Sequence, residues 1–259
     1  MYDPPGYLWA LTIAGIVAIP AATCIVLYSG ALRAGQSRAR AALLGGGAAV
    51  VFGGWFTASA VIAGHGWYHA QLGRQVPWLP IVVVGFLGLL LALRRIPVVA
   101  RALAAPGMVS RLELPHSFRV IEGTAFVLMM ALGHLPALFA LPAGLGDIAA
   151  GIAAPLVALR LARGTGRRAA LWFNAFGLTD LISALTLGAL TGYALVNVTP
   201  SGAPISELPL ALIPTAAVPL LFALHIKSVP ALLRTRRPPP RATAPRTADL
   251  HDHEGKARV

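Results

Sequence analysis

Seven stretches of about 20 apolar residues recur along the chain, and no other property restricts its fold so tightly, because a helix needs roughly that length to cross a hydrocarbon core of about 30 Å. They cover residues 8–29, 41–64, 77–93, 115–135, 137–160, 168–191 and 208–230. The third is the shortest; Arg94 and Arg95 close it, and their long stems can reach back to the interface. The runs are continuous rather than alternating, which reads as helices and not as strands of a transmembrane barrel. Composition agrees, with 57% hydrophobic and 12% charged residues, about half the charge of a water-soluble domain. Disorder, a nucleic-acid-binding globule and a secreted disulfide scaffold are excluded together, the last because Cys24 is the one cysteine. The expected class is all-α, a polytopic membrane protein with seven transmembrane helices.

The net charge of +12 supplies the orientation, since loops rich in Lys and Arg stay cytoplasmic. Arg33, Arg38 and Arg40 follow the first stretch; Arg94, Arg95, Arg101 and Arg111 follow the third; Arg160, Arg163, Arg167 and Arg168 surround the turn after the fifth. The opposite loops contain Arg74 alone, and Arg234, Arg236, Arg237, Arg241 and Arg246 follow the last stretch. The N-terminus is expected outside and the C-terminus inside, in a multi-pass protein of the plasma (inner) membrane. Met1-Tyr2-Asp3-Pro4-Pro5 is not the basic leader of a signal peptide, so the first stretch is expected to remain in the mature protein.

Residues 1–233 form the expected transmembrane domain. Residues 234–259, rich in Arg, Pro, Ala and Thr, read as a disordered basic cytoplasmic tail. The partners expected of it are the lipid bilayer and its anionic headgroups, at about 1 kcal/mol per Arg, and not nucleic acid. His251-Asp252-His253-Glu254 reads as solvated polar residues. Residues 96–114 mix apolar positions with Arg101 and Arg111 and are expected to lie along the cytoplasmic surface as a connector, partly as a short amphipathic helix.

Charged groups inside a bilayer cost about 2.5–3.5 kcal/mol even on lenient scales and normally face protein or water. They cluster here in the second half of the chain: Arg119 and Glu122 in the fourth stretch, Asp147 in the fifth, Asn174 and Asp180 in the sixth, and His225 in the seventh. At 1.5 Å per residue, Asp147 and Asp180 lie about 15 and about 18 Å from the ends at which their helices enter. The two acids therefore share a depth, with the other four forming a layer nearer the cytoplasm. Around Asp147, positions at helical spacing are Ala143, Gly144, Ala150, Gly151 and Ala154, a small-residue face suited to close packing. Two carboxyls at one depth raise each other's proton affinity unless a cation joins them. Arg119 and Glu122, three residues apart, are placed to neutralise each other.

Pro214 and Pro219 interrupt the seventh stretch and free the carbonyls of Leu210 and Thr215, which either coordinate ions or sit in packed kinks. His65 and His69, four residues apart, and His134 belong to the opposite surface. They are weak candidate metal ligands, because Gly64 and Gly66 weaken the helix that the spacing assumes and no carboxylate is near. Interfacial anchoring is their ordinary role, and neither metal nor cofactor is expected. Lys227 lies at the cytoplasmic end of the last stretch, which excludes a retinal protein. No family signature stands out.

The expected function is transport or binding of a small solute, proton-coupled through Asp147 and Asp180, with Arg119, Glu122, Asn174 and His225 lining the inner vestibule. Two alternatives remain at this level. One is a membrane-embedded enzyme acting on a lipid or isoprenoid through an opening lined by Phe173, Phe176 and Phe126; the other is a non-catalytic scaffold. The sequence leaves the substrate, enzymatic activity and oligomeric state open.

Overall fold

The computed structural model describes residues 4–69 and 77–234; Arg74 and all of the tail after Arg234 lie outside them. Every regular element among the described residues is helical: α1 (Gly6–Arg33), α2 (Arg38–Gly64), α3 (Trp78–Leu93), α4 (Pro97–Ala104), α5 (Met108–Leu112), a 3-10 turn (Leu114–Phe118), α6 (Arg119–Ala131), α7 (Ala137–Ala162), α8 (Arg167–Gly192), a second 3-10 turn (Ala203–Ser206), a π segment (Ile213–Ala217) and α9 (Val218–Arg234). Five of these units are long and apolar enough to cross a membrane: α1, α2, α7, α8 and the π segment with α9. A sixth results if α3 and α4, bent by 84° at their junction, count as one broken span.

The helices pack as successive neighbours, α6 on α7 and α7 on α8, while α1 lies against α2, α4 and α6, and α9 fills the space between α3 and α8. One apolar core joins them, with Ile16, Phe86, Phe126, Phe139, Leu181 and Leu221 among its members. Outward, Leu43, Val50, Val84, Ile152, Leu156 and Trp172 are exposed, a surface that suits lipid tails rather than water.

Three stretches depart from the sequence expectation. The fourth is divided: Pro115 opens a 3-10 turn and α6 runs only 13 residues, about 20 Å at helical rise, before a turn at Gly133 (φ 75°). The seventh is irregular from Leu208 to Leu212, wide over the π segment and regular from Val218. Its prolines explain this, since each removes a backbone donor. The connector 96–114 is corrected most. Pro97 starts α4, but Gly107 (φ 73°) turns the chain inward, and Met108 and Leu112 pack with Val26 and Leu224. Glu113 thereby becomes fully buried instead of lying at a surface, and His116, at the start of the fourth stretch, is buried beside it.

Candidate functional site

Glycines decide where the polar groups can meet. A Cβ on Gly123 would come within 2.8 Å of Asp147 Cβ and run into the Gly144 carbonyl, and one on Gly151 would lie 2.6 Å from the Val120 nitrogen. α6 and α7 are thus in backbone contact, and Ala143, Gly144, Ala150, Gly151 and Ala154 are buried on the same side as Asp147. Gly146 gives the Asp180 carboxylate its room, and Gly177 does the same for the His225 ring and one nitrogen of Arg119.

Arg119, at the first turn of α6, is completely buried. Its Nε donates to Asp147 Oδ1 at 2.6 Å and its Nη2 donates to Asp180 Oδ2. The guanidinium thus ties α6 to both α7 and α8. Its bonds go to the two aspartates across the helix interfaces, not to Glu122 one turn along, whose Oε1 has no partner. One guanidinium facing two ionised carboxylates leaves the trio with one surplus negative charge, which one bound proton cancels. Arg119 therefore joins the acid pair, but Arg119, Glu122, Asn174 and His225 are all buried and, among the described residues, line no inner vestibule of the kind expected from the sequence.

Nearby, Asn174 of α8 donates from Nδ2 to Glu113 Oε1 at 3.0 Å and to the Ala170 carbonyl at 2.8 Å. Its Oδ1 lies 2.8 Å from His225 Nδ1. An amide oxygen accepts, so Nδ1 carries the proton and Nε2 is left as an acceptor. His116 stacks on His225 with ring centroids 4.0 Å apart, and Phe173 closes the edge of both rings. Burial pushes the Glu113 carboxyl up to about 7, against the hydrogen bond from Asn174 and the nearness of the Ser228 hydroxyl.

Seven buried atoms of this region lack a hydrogen-bond partner: Glu113 Oε2, both ring nitrogens of His116, Arg119 Nη1, Glu122 Oε1, His225 Nε2 and Ser228 Oγ. Each such group costs about 1–3 kcal/mol, so their concentration in one place marks a site rather than a packing core. Glu113 and His116 do not stand out in the sequence. The Glu-x-x-His spacing, which places both residues on one side of a helical turn, is the signal that could have found them.

A cavity of about 170 Å³ reaches Asp147 from the end of the bundle that carries Gly192, Tyr193, Gly202 and Ser206; its remaining walls, including Phe126, Phe139 and Val218, are almost wholly apolar. Asp180 is not among its lining residues, and neither are Phe173 and Phe176; Phe176 is exposed on the outside of α8. The carbonyls freed by the prolines have partners: Thr215 accepts from Trp55 Nε1 at 2.9 Å and Leu210 from the Ile213 nitrogen at 3.0 Å. His69 Nε2 lies 4.0 Å from Glu207 Oε1, and His65, His69 and His134 do not gather into one ligand set among the described residues.

These features describe a helical, membrane-spanning type of chain whose polar groups are sequestered between α5 and α9. A family model described as Domain of unknown function (DUF8737) matches residues 76–233, and the chain belongs to that family. The matched span contains every residue of the polar network and leaves out α1 and α2. No curated protein and no solved structure matches the chain.

Proposed function

We propose that this protein binds a small solute within the membrane and moves it in exchange for a proton at the Asp147–Arg119–Asp180 trio. The observation that carries the reading is that Asp147, joined through Arg119 to Asp180, forms part of the wall of an otherwise apolar cavity. Apolar cavities of about 150 Å³ take a guest the size of benzene. The surplus negative charge of the unprotonated trio favours a cationic or hydrogen-bond-donating head over an anion. The solute class is therefore a small amphiphile with an aromatic or branched body and a positive head.

In this reading seven segments cross the plasma membrane: α1, α2, α3, the first 3-10 turn with α6, α7, α8, and the π segment with α9. The distribution of Arg then sets the N-terminus outside and the C-terminus in the cytoplasm, and the cavity opens outward.

Proteoliposomes enclosing a pH-reporting dye test the proposal, with benzyltrimethylammonium as the probe and benzenesulfonate as its anionic counterpart. The expected result is protein-dependent uptake of the cation with opposite proton movement, lost in Asp147→Asn and at least tenfold slower in Asp180→Asn. Equal fluxes in wild type and both variants, or a preference for the sulfonate, overturn it.

A further inference from the structure

We propose that Glu113, His116 and His225 form a binding site for a borderline divalent transition metal, of which Zn²⁺ and Co²⁺ are the representative ions. The three residues come from the end of α5, the following 3-10 turn and the middle of α9. One ligand atom from each lies within 4.8 Å of the other two. All three side chains are fully buried, and each has a coordinating atom without a hydrogen-bond partner: Glu113 Oε2, both nitrogens of His116 and His225 Nε2.

Two imidazoles and one carboxylate make a set that suits zinc and its first-row neighbours rather than magnesium or calcium, which take oxygen alone. Asn174 supplies the outer shell such a set requires. By donating to Glu113 Oε1 and accepting from His225 Nδ1, it fixes the carboxylate and leaves the His225 lone pair on Nε2. Ser228, whose hydroxyl is also unpartnered, lies beside Glu113 and adds an oxygen. The neighbouring Arg119, whose Nη1 has no partner, repels a second cation, and its pairing with Asp147 and Asp180 offsets part of that repulsion. The stacked rings of His116 and His225 must turn apart to direct both lone pairs at one ion, so binding reorders Phe173, which packs on both. The site is independent of the solute reading, since none of its three ligands lines the cavity.

The test uses the full chain in detergent, purified without a polyhistidine tag, with His251 and His253 replaced by Ala so that the tail does not compete. After treatment with chelator, titration with Zn²⁺ followed by calorimetry is expected to give one ion per chain, and Co²⁺ is expected to give visible ligand-field bands of a low-coordinate site. Glu113→Gln, His116→Gln and His225→Gln should each weaken Zn²⁺ at least tenfold, and Asn174→Ala by about 10–100-fold. Replacing His65, His69 and His134 together should change nothing. Because a ligand variant can fail to fold, Cu²⁺ paramagnetic resonance of the chain lacking the tail and outer histidines counts the coordinating nitrogens directly: two are expected. No uptake, uptake that survives His116→Gln with His225→Gln, or any other nitrogen count overturns the site.

Discussion

Arg119 Nε and Asp147 Oδ1 meet at 2.6 Å at the point where α6 and α7 touch backbone to backbone through Gly123 and Gly144. Removing one member of a fully buried pair strands the other, which costs about 3–5 kcal/mol. Arg119→Met is therefore expected to destabilise the protein by about that amount in denaturant unfolding in detergent, and Asp147→Asn by less, because Asp180 still faces the guanidinium. Arg119→Lys should not restore stability, since a single ammonium cannot present the two forked donors that reach separate helices.

The glycines divide into two kinds. Gly123→Ala forces α6 away from Gly144 and Asp147 and is expected to lower the melting temperature by several degrees and to weaken the Arg119 pairs. At Gly47, in the middle of α2, an added Cβ would meet nothing within 4 Å. Gly47→Ala should leave stability unchanged or raise it by up to about 1 kcal/mol through helix propensity. Thermal unfolding of both variants in the same detergent makes the comparison.

Trp55 holds the irregular stretch before α9 through its bond to the Thr215 carbonyl while its ring stacks on Phe86, 4.3 Å between centroids. Trp55→Phe keeps an aromatic ring but leaves the carbonyl unsatisfied. A loss of about 1–3 kcal/mol is expected, together with faster amide exchange over residues 208–217 by mass spectrometry. A change confined to α2 would contradict this role.

Gly188 of α8 borders the cavity, where a Cβ would make only ordinary contacts, 3.5 Å to Phe139 and 3.7 Å to Ile205. Gly188→Leu is expected to fill the space, abolishing protein-dependent uptake of benzyltrimethylammonium while leaving the melting temperature within a few degrees of wild type. Retained uptake would exclude this cavity as the route.

The long helices α1, α2, α7 and α8 are legible in the sequence because their apolar composition is unbroken, and the inward direction of Asp147 because its face is made of Ala and Gly. The partner of Arg119 is not, because a long side chain selects among acids on other helices and Glu122 is nearer only in sequence. Glu113 and His116 are hidden for a different reason. The stretch around them has the mixed polarity of a surface connector, and only the turn at Gly107 together with the walls of α7, α8 and α9 makes it an interior. The π segment is foreshadowed by Pro214 within it and Pro219 just after it, but its hydrogen-bond donor, Trp55, stands 160 residues away.

The inward-turned connector also imposes an order on biogenesis. Glu113 reaches Asn174 across 61 residues, and Asn174 reaches His225 across 51 more, so more than a hundred residues must follow Glu113 out of the ribosome before its surroundings exist. At about 5–20 residues per second that interval is on the order of ten seconds. Throughout it the carboxyl and imidazole stay with water or with the insertion machinery, and the bundle closes over them only when α9 arrives.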